Sequence, residues 1–365
     1  MKNKLIFEFS KNKTDGDSSL NNLLGGKGAN LAEMSNMKIP VPPGFTITTE
    51  VCNYFTENNK LPDNLDNEIR KAVKNLESLS DKSFGGEGTP LLLSVRSGGR
   101  VSMPGMMDSV LNIGLNDSNV FQLAEAFNDE RFALDSYRRL IQMYSNVVLG
   151  VEHERFEAVL ANKKRMDNVV SDADFNVDQL NWIINAYKNT VERFTDSLFP
   201  QDPYEQLTGA IEAVFNSWQN KRAVIYRKIN NIPDSWGTGA TIQSMVFGNL
   251  NDKSGTGVAF TRNPSNGDKE LYGEYLINAQ GEDVVAGIRT PHPIRKHSKI
   301  KQESLESKFP KAYKELLEIS TKLENHFKEA QDIEFTIENE DIYLLQTRTA
   351  KRTAQASVKI AIDMQ

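Results

Sequence analysis

The chain has 365 residues, of which 39% are hydrophobic and 25% are charged, and its formal net charge is -6 at pH 7. This length exceeds one ordinary hydrophobic core, so two or three subdomains are expected. The negative charge excludes a general attraction to nucleic acid or to an anionic membrane, so any phosphate site must be local.

Cysteine content and the N-terminus bear on the compartment. Cys52 is the single cysteine; this excludes an internal disulfide and a cysteine-based metal site and is typical of a reducing compartment. No stretch reads as a signal peptide or a membrane span. We therefore expect a cytoplasmic protein, with the interior of an organelle as the alternative.

The first hundred residues alternate short strands with glycine-rich turns. Residues 1–9 predict a first strand, and residues 23–34 predict a turn that opens into a helix. The proline-rich run at 40–48 predicts a rigid lead into a second strand. The apolar run at 91–95 predicts a buried strand, which Arg96 follows directly.

The apolar spacing becomes helical from about residue 118 to residue 230, as in Leu180, Ile183, Ile184 and Tyr187. Strands are predicted again at 240–247 and 257–261, a helix at 313–330 and a hairpin at 331–348. Thr353 is a candidate N-cap for a last helix, which has no C-cap signal. We interpret that ending as a helix that once led into another domain.

A glycine-rich turn, Gly25-Gly26-Lys27-Gly28, stands at the predicted start of a helix. Glycines let backbone N–H groups approach an anion, the helix N-terminus is positive, and Lys27 adds a flexible positive charge. The spacing is not that of a P-loop. A phosphate site and an ordinary turn at a helix start both stay open.

A second candidate phosphate site lies at 94–108. The predicted strand delivers Arg96, whose planar guanidinium can hold two phosphate oxygens. The glycine- and serine-rich loop that follows is long enough to cover a ligand, and it contains Met103, Met106 and Met107, which are unusual in a polar connection. A plain surface loop is the alternative.

Three further segments are compatible with both ligand contacts and ordinary structure. Residues 243–247 can offer backbone groups to an adenine edge, or they form a core strand. The glycine turn at 254–257 precedes a strand that leads to Arg262, and residues 278–287 set amides and carboxylates beside glycines. The residues at 254–257 and at 278–287 can also be those of ordinary turns without a ligand.

The hairpin at 331–348 carries the most informative pattern. On its first strand Asp332 and Glu334 share one face, because side chains alternate along a strand. We expect a three-residue turn at 339–341, since that register places Glu334 opposite Gln346 and Asp332 opposite Arg348.

The same register pairs Phe335 with Leu345 on the apolar face. A two-residue turn is instead expected to place Gln346 against Ile333. On the polar face, two carboxylates and a carboxamide offer the oxygen ligands that suit Mg2+ bound together with phosphate. The alternative is the solvated face of an amphipathic hairpin.

The histidines do not form a recognisable site. None of the four, which are His153, His292, His297 and His326, has a partner at metal-ligand spacing, and no Ser-His-Asp or Cys-His arrangement is visible. We expect all of them at the surface.

Taken in order, these motifs resemble one family, the ATP-binding domain of the pyruvate, phosphate dikinases. Besides 40–50 and 254–264, the matching segments are Gly25-Gly-Lys-Gly-Ala-Asn-Leu-Ala-Glu, Ser94-Val-Arg-Ser-Gly, Val101-Ser-Met-Pro-Gly-Met-Met-Asp, Asn278-Ala-Gln-Gly-Glu-Asp-Val-Val-Ala-Gly-Ile-Arg-Thr-Pro and Gln331-Asp-Ile-Glu-Phe-Thr. The segments that begin at Val101 and Asn278 favour this family over the water dikinases and phosphoenolpyruvate synthases.

The resemblance implies an α+β class and an ATP-grasp fold, with two α/β lobes around a nucleotide cleft and a helical insertion. We expect a first lobe at 1–117 and 201–243, the insertion at 118–200, and a second lobe with the metal-binding hairpin at 244–350. Residues 351–365 are expected to begin a linker helix to a phosphohistidine domain that this chain lacks.

The resemblance also implies an activity. The full enzyme interconverts ATP, phosphate and pyruvate with AMP, diphosphate and phosphoenolpyruvate. A histidine on a separate domain attacks the β-phosphorus of Mg-ATP, and inorganic phosphate then accepts the γ-phosphoryl group. The other implied partners are a C-terminal pyruvate/phosphoenolpyruvate barrel and a second copy in a homodimer of the full-length enzyme, with no nucleic acid and no membrane.

Matching positions carry the family's site residues over to this chain. The catalytic cations are Lys27, Arg96 and Arg348, which also contact the nucleotide. Further nucleotide contacts are Gly105, Gln243, Met245, Val246, Thr256 and Gly257. The Mg2+ ligands, which also meet the phosphates, are Asp332, Glu334 and Gln346.

The chain departs from the family pattern at Gly99, where many relatives have alanine, a change expected to loosen the loop without abolishing it, and it departs again in its histidines. None of its histidines lies in a Thr-Ser-His-Ala-Ala context, so we expect Mg-ATP binding without the complete reaction. Two other classes remain: a nucleotide-sensing module, which the loss of a charged ligand would favour, and a carboxylate–amine ligase of the ATP-grasp type, which needs its own acceptor pocket.

Overall fold

The computed structural model describes residues 4–287, 289–296 and 303–364. The predictions for residues 1–3 of the first strand, for Ile288, for His297 and for Gln365 lie outside these ranges. The chain divides into two compact units: Met1–Glu8, Leu20–Gly28 and Pro43–Met245 form the first, and Phe9–Ser19, Ala29–Pro42 and Val246–Gln365 form the second. The class is mixed α/β.

The first unit contains a five-stranded sheet in the order β1-β2-β5-β3-β4. Its strands are β1 (Ile6–Phe9), β2 (Gly44–Ile47), β3 (Leu93–Gly99), β4 (Ser109–Ile113) and β5 (Thr238–Ser244). The pairs β2–β5, β5–β3 and β3–β4 are antiparallel.

The helices of this unit confirm the helical spacing predicted after residue 118. They are the start of α1 (Asn21–Asn36), then α2 (Thr49–Asn58), α3 (Leu65–Ser80), α4 (Asn119–Phe127), α5 (Glu130–Val147), α6 (His153–Asp167), α7 (Val177–Thr195), α8 (Pro203–Ser217) and α9 (Lys221–Ile229). Local sequence explains several starts: Asp129 and Asn176 cap α5 and α7 through their side chains, and Asp202 caps α8 just before Pro203.

The second unit has its own five-stranded sheet, in the order β10-β9-β6-β7-β8, and every pair in it is antiparallel. Its strands are β6 (Gly255–Phe260), β7 (Tyr272–Ile277), β8 (His292–Pro293), β9 (Gln331–Glu338) and β10 (Asp341–Thr349). Its helices are the rest of α1, α10 (Gly281–Ala286), α11 (Leu305–Lys308), α12 (Pro310–Phe327) and α13 (Ala354–Asp363).

The core of the second unit lies between its sheet and α12. Leu316 and Leu323 of the helix belong to one buried cluster with Ile333, Phe335 and Ile337 of β9. Burying each such side chain stabilises the unit by roughly 1.5–3 kcal/mol. The alternation predicted for β9 is therefore confirmed, and its polar face is the one turned away from this core.

Several predicted strands have different bounds in the structure, among them the one predicted at 257–261, which is β6 at Gly255–Phe260. The strand predicted at 91–95 is β3, which starts at Leu93 and continues through Arg96 to Gly99, because β5 pairs with it as far as Gly99. The strand predicted at 240–247 is β5 and ends at Ser244. Thr353 caps α13 as predicted, since its side chain accepts from the N–H of Ala356.

No helix in the described ranges combines the length and the apolar character needed to cross a bilayer.

Candidate functional site

The glycine-rich turn of α1 is fitted against the end of β3. Gly25 has φ 69° and ψ 165°, a backbone conformation that is almost restricted to glycine. A Cβ added to Gly25 would lie 1.7 Å from the carbonyl oxygen of Gly98. A Cβ on Gly98 would in turn lie 3.2 Å from the Cβ of Lys27. Glycines at both positions therefore let the helix start press against the strand.

This packing brings Lys27 and Arg96 to one face of the first sheet. Arg96 and Gly98 lie on the same face of β3, because they are two residues apart. Across the sheet, Arg96 pairs with Thr241 and Thr241 with Thr46. A Cβ on Gly28 would lie 2.6 Å from Oγ1 of Thr46, so the turn covers this row.

The opposite face of the same sheet is packed. Gly99 follows Gly98 and therefore faces the other side of the sheet. A Cβ added to Gly99 would lie 3.7 Å from the ring of Trp218. The Lys27 and Arg96 face is therefore the polar face of the first unit.

The remaining predicted contacts in the first unit are dispersed. Gly105 is exposed in the loop between β3 and β4, with φ 68° and no atom within 4 Å of an added Cβ. Gln243 is buried in β5 and pairs with Ser94, so it lies on the same face as Arg96. Met245 follows the strand, and its N–H donates to the carbonyl of Leu92 at 2.9 Å.

The turn of the β9–β10 hairpin differs from the prediction. The strands are joined by two residues, Asn339 and Glu340, both with positive φ, and not by three. Such a turn alone would set Gln346 against Ile333. A β-bulge between Leu344 and Gln346 shifts the register by one residue and restores the polar pairing.

Because of that bulge, the predicted polar pairs are confirmed and the predicted apolar pair is wrong. Glu334 lies opposite Gln346 and Asp332 opposite Arg348. Phe335 pairs with Leu344, not with Leu345.

Side-chain contacts join these residues on the polar face of the second sheet. Nε of Arg348 donates to Oδ2 of Asp332 at 2.7 Å, and Nε2 of Gln346 donates to Oε1 of Glu334 at 3.0 Å. Asp332 is 7% exposed and Gln346 9%. Charged and polar groups buried to this degree fit a ligand site better than the solvated face of a hairpin.

The electrostatics around Asp332 disfavour its charged form. Burial raises the pKa of the Asp332 carboxyl, and the neighbouring Glu334 carboxylate raises it further, while Arg348 and Lys351 act to lower it. The existing positive charges thus do not fully compensate the cost of a buried carboxylate. A divalent cation bound beside this carboxylate would offset that cost.

The donor set fits Mg2+ held jointly with a ligand. In the part of the chain that the structure describes, no three His, Cys, Asp or Glu side chains cluster as a metal site. Asp332, Glu334 and Gln346 supply oxygens only, and Mg2+ is typically bound by one or two carboxylates with phosphate oxygens and water completing its shell. These three side chains are therefore a donor set that Mg2+ could share with phosphate oxygens.

Thr256 and Gly257 lie on different faces of β6. Thr256 pairs with Thr336 of β9 and shares the polar face, where its Oγ1 donates to the carbonyl of Phe335 at 3.1 Å. A Cβ on Gly257 would lie 2.6 Å from the Phe335 ring on the apolar face. The absence of a side chain at 257 thus serves core packing.

Two residues near the site were missed by sequence reasoning. Thr241 lies beside Arg96 in the sheet, and the alternation of Thr241 and Gln243 with apolar neighbours was the available signal. Lys351 acts on Asp332 from just beyond β10. The sequence feature that could have pointed to Lys351 is its position three residues after Arg348.

Comparison with known proteins decides the family. The family model described as pyruvate phosphate dikinase, AMP/ATP-binding domain matches residues 21–84, 62–315 and 295–365. The chain belongs to this family. The resemblance drawn from the motifs is therefore confirmed.

Relatives from bacteria and a plant agree. The chain is similar to pyruvate, phosphate dikinase of Rickettsia conorii, 53% identical over 362 residues, which are 99% of this chain and 41% of the relative. It is 50% identical to the Rhizobium meliloti protein of the same name, again over 99% of the chain and 41% of the relative. The chloroplastic protein of Mesembryanthemum crystallinum is 49% identical over 99% of the chain and 37% of the relative. The chain spans about two fifths of the length of the relatives it matches.

The predicted site residues fall into two groups, one in each compact unit. Lys27, Arg96, Gly105, Gln243 and Met245 belong to the first unit, and Val246, Thr256, Gly257, Asp332, Glu334, Gln346 and Arg348 belong to the second. In each unit, the charged residues of this predicted set lie on the polar face of the sheet.

Proposed function

We propose that this chain is the nucleotide-binding part of a pyruvate, phosphate dikinase, with an ATP-grasp fold that binds Mg-ATP. The observation that carries the proposal is the polar face of β9 and β10. There, two carboxylates, an amide and a guanidinium meet in the pairs Asp332–Arg348 and Glu334–Gln346, within a chain of an AMP/ATP-binding family.

On this proposal Asp332, Glu334 and Gln346 hold Mg2+, which when bound neutralises charge on the phosphate oxygens. Arg348 holds the Asp332 carboxylate in position and adds a positive charge to the same face. Thr256 and its partner Thr336 border this face with hydroxyl groups 3.4 Å apart.

In the first unit, Lys27 and Arg96 bind phosphate oxygens. The helical segment of α1 that resumes after the kink at Gly25 adds its first backbone N–H groups to the same anion site. Phosphoryl transfer depends mainly on positioning and on balancing negative charge, so Lys27, Arg96 and Arg348 are the proposed catalytic residues.

The complete reaction involves parts outside this chain. The β-phosphorus of ATP is attacked by a histidine of a separate domain, which releases AMP, and inorganic phosphate then accepts the γ-phosphoryl group to form diphosphate. A pyruvate/phosphoenolpyruvate barrel and a homodimer complete the proposed enzyme. Its location in the cytoplasm remains a prediction, since one relative is named chloroplastic.

Calorimetric titration with ATP, with and without Mg2+, tests the proposed site. We expect Arg96→Ala and Asp332→Asn each to weaken Mg-ATP binding at least about tenfold, which is about 1.4 kcal/mol. The matched control is Asp341→Asn, because Asp341 is an exposed carboxylate of the same hairpin whose partner is Lys311. Undiminished binding in both site variants would refute the assignment.

A second experiment separates the enzyme from a nucleotide-sensing module. The chain is mixed with the histidine-bearing remainder of a relative and with ATP labelled at the β-phosphate. Labelled phosphohistidine is expected for the dikinase. Mg-ATP binding without any labelled histidine would favour the sensing module.

A further inference from the structure

One short segment of the first unit contacts the end of the loop at 100–108 and lies near Gly99, the β3 residue that precedes the loop. A Cβ on Gly99 would lie 3.7 Å from the ring of Trp218, the residue that follows α8. At the end of the loop, Oδ2 of Asp108 accepts from Nδ2 of Asn220 at 2.9 Å, and Oδ1 accepts from Nη2 of Arg222. The residues between α8 and α9, with the first turn of α9, therefore support the loop.

Arg222 makes a second contact inside the loop. Its Nε donates to the carbonyl of Met106 at 3.1 Å. One planar guanidinium thus holds a backbone carbonyl within the loop and a carboxylate at its end, which a lysine cannot do with the same geometry. Gly105, next to Met106, has open space around it.

The supporting segment is itself fixed in the core. The guanidinium of Arg227, which is fully buried, stacks 4.1 Å from the centre of the Trp218 ring. Nε1 of Trp218 donates to the carbonyl of Asp234 at 2.9 Å, and Nε of Arg227 donates to Oδ1 of Asp234 at 2.8 Å. Arg222 therefore extends from a rigid base to a loop whose tip is exposed.

We propose that Asp108 and Arg222 are positioning residues that hold the base of loop 100–108 where its tip can cover the bound nucleotide. This inference rests on the proposed function, since it presumes an ATP site beside the strand that carries Arg96. Without the Asp108–Arg222 contact the loop samples more conformations. The fraction of molecules competent to bind falls, and the apparent Kd rises by the same factor.

The test compares Asp108→Asn, Arg222→Gln and the double variant by Mg-ATP calorimetry, with hydrogen exchange of residues 100–108 in the absence of nucleotide. Matched controls are Asp63→Asn, at an exposed ion pair with Lys60, and Arg165→Gln, at an exposed position. We expect each single variant to raise the Kd roughly 3- to 10-fold. The Kd of the double variant is expected to be no higher than the higher of the two single-variant Kd values, because the two residues act through one contact. Arg222→Lys is expected to recover part of the affinity.

Faster exchange confined to loop 100–108, with an unchanged melting temperature, would support positioning. Unchanged Kd values, additive losses, or a loss matched by global destabilisation would overturn it. If the wild-type chain does not bind Mg-ATP, the proposed function fails instead. In that case equal exchange of the loop in wild type and variants would still overturn the role of Asp108 and Arg222.

Discussion

Replacing Gly25 with alanine is expected to destabilise the first unit severely. The φ of 69° and ψ of 165° at Gly25 lie in a region nearly closed to other residues, and this costs alanine roughly 1–3 kcal/mol. The new Cβ would also lie 1.7 Å from the carbonyl oxygen of Gly98. Pairing of Gly98 with Gly239 of β5 limits how far this carbonyl can move, so overpacking adds roughly 1–3 kcal/mol. The sum, roughly 2–6 kcal/mol, is a large part of the stability of a typical domain.

Tryptophan fluorescence during urea unfolding measures this effect selectively. The three tryptophans, Trp182, Trp218 and Trp236, all belong to the first unit. The matched control is Gly26→Ala, where the nearest atoms to an added Cβ are at 3.5 Å and the residue lies in α1. Alanine there is expected to be neutral or stabilising by up to about 1 kcal/mol. A loss below about 1 kcal/mol for Gly25→Ala, or equal losses for both variants, would refute this packing argument.

Four further predictions concern the second unit. Glu340→Gly is expected to slow hydrogen exchange in β9 and to stabilise the hairpin by roughly 0.5–1 kcal/mol, since Glu340 has φ 71°; faster exchange would contradict the two-residue turn. Asp332→Asn is expected to change the unfolding free energy by less than about 1 kcal/mol at neutral pH, because the lost ion pair with Arg348 is offset by relief of a buried charge. Folding raises the pKa of Asp332, so the folded state binds a proton more tightly than the unfolded state. The unfolding free energy of wild type should therefore rise relative to that of Asp332→Asn as the pH falls through this pKa. Chemical unfolding that shows the opposite change with pH would refute the assignment. Because a protonated Asp332 cannot bind the metal, the Mg-ATP affinity of wild type should fall on acidification, by at most about tenfold per pH unit from this group. Calorimetry at several pH values measures this. The same pH dependence in wild type and in Asp332→Asn would contradict it.

Much of the hairpin could be predicted from period-two alternation, but its register could not. The two faces of β9 follow from the sequence Asp332-Ile333-Glu334-Phe335. The turn Asn339-Glu340 lacks the Asn-Gly signature of a tight two-residue turn, and nothing in the apolar pattern marks a bulge near Leu345. The polar pairs were right although the turn behind them was wrong, because a bulge and a three-residue turn shift the register equally.

The group around Arg96 depended on packing between distant segments. Lys27 and Arg96 could each be singled out by residue type, but they share a sheet face because Gly25 and Gly28 let α1 approach β3 and β2 closely. The end of β3 was missed for a local reason. Gly98 and Gly99 are unfavourable in isolated strands, and only pairing with β5 keeps them extended.

The most direct test is a crystal structure of the chain with Mg2+ and a non-hydrolysable ATP analogue. We expect a metal ion on the polar face of β9 and β10, with its directly bound oxygens at about 2.0–2.1 Å. These oxygens come from Asp332, Glu334, Gln346 and the analogue's phosphates, or from waters that link them to the metal. Gln346 must then turn its amide oxygen towards the metal. A nucleotide bound with its metal elsewhere, and with Nε2 of Gln346 still donating to Glu334, would contradict the central claim.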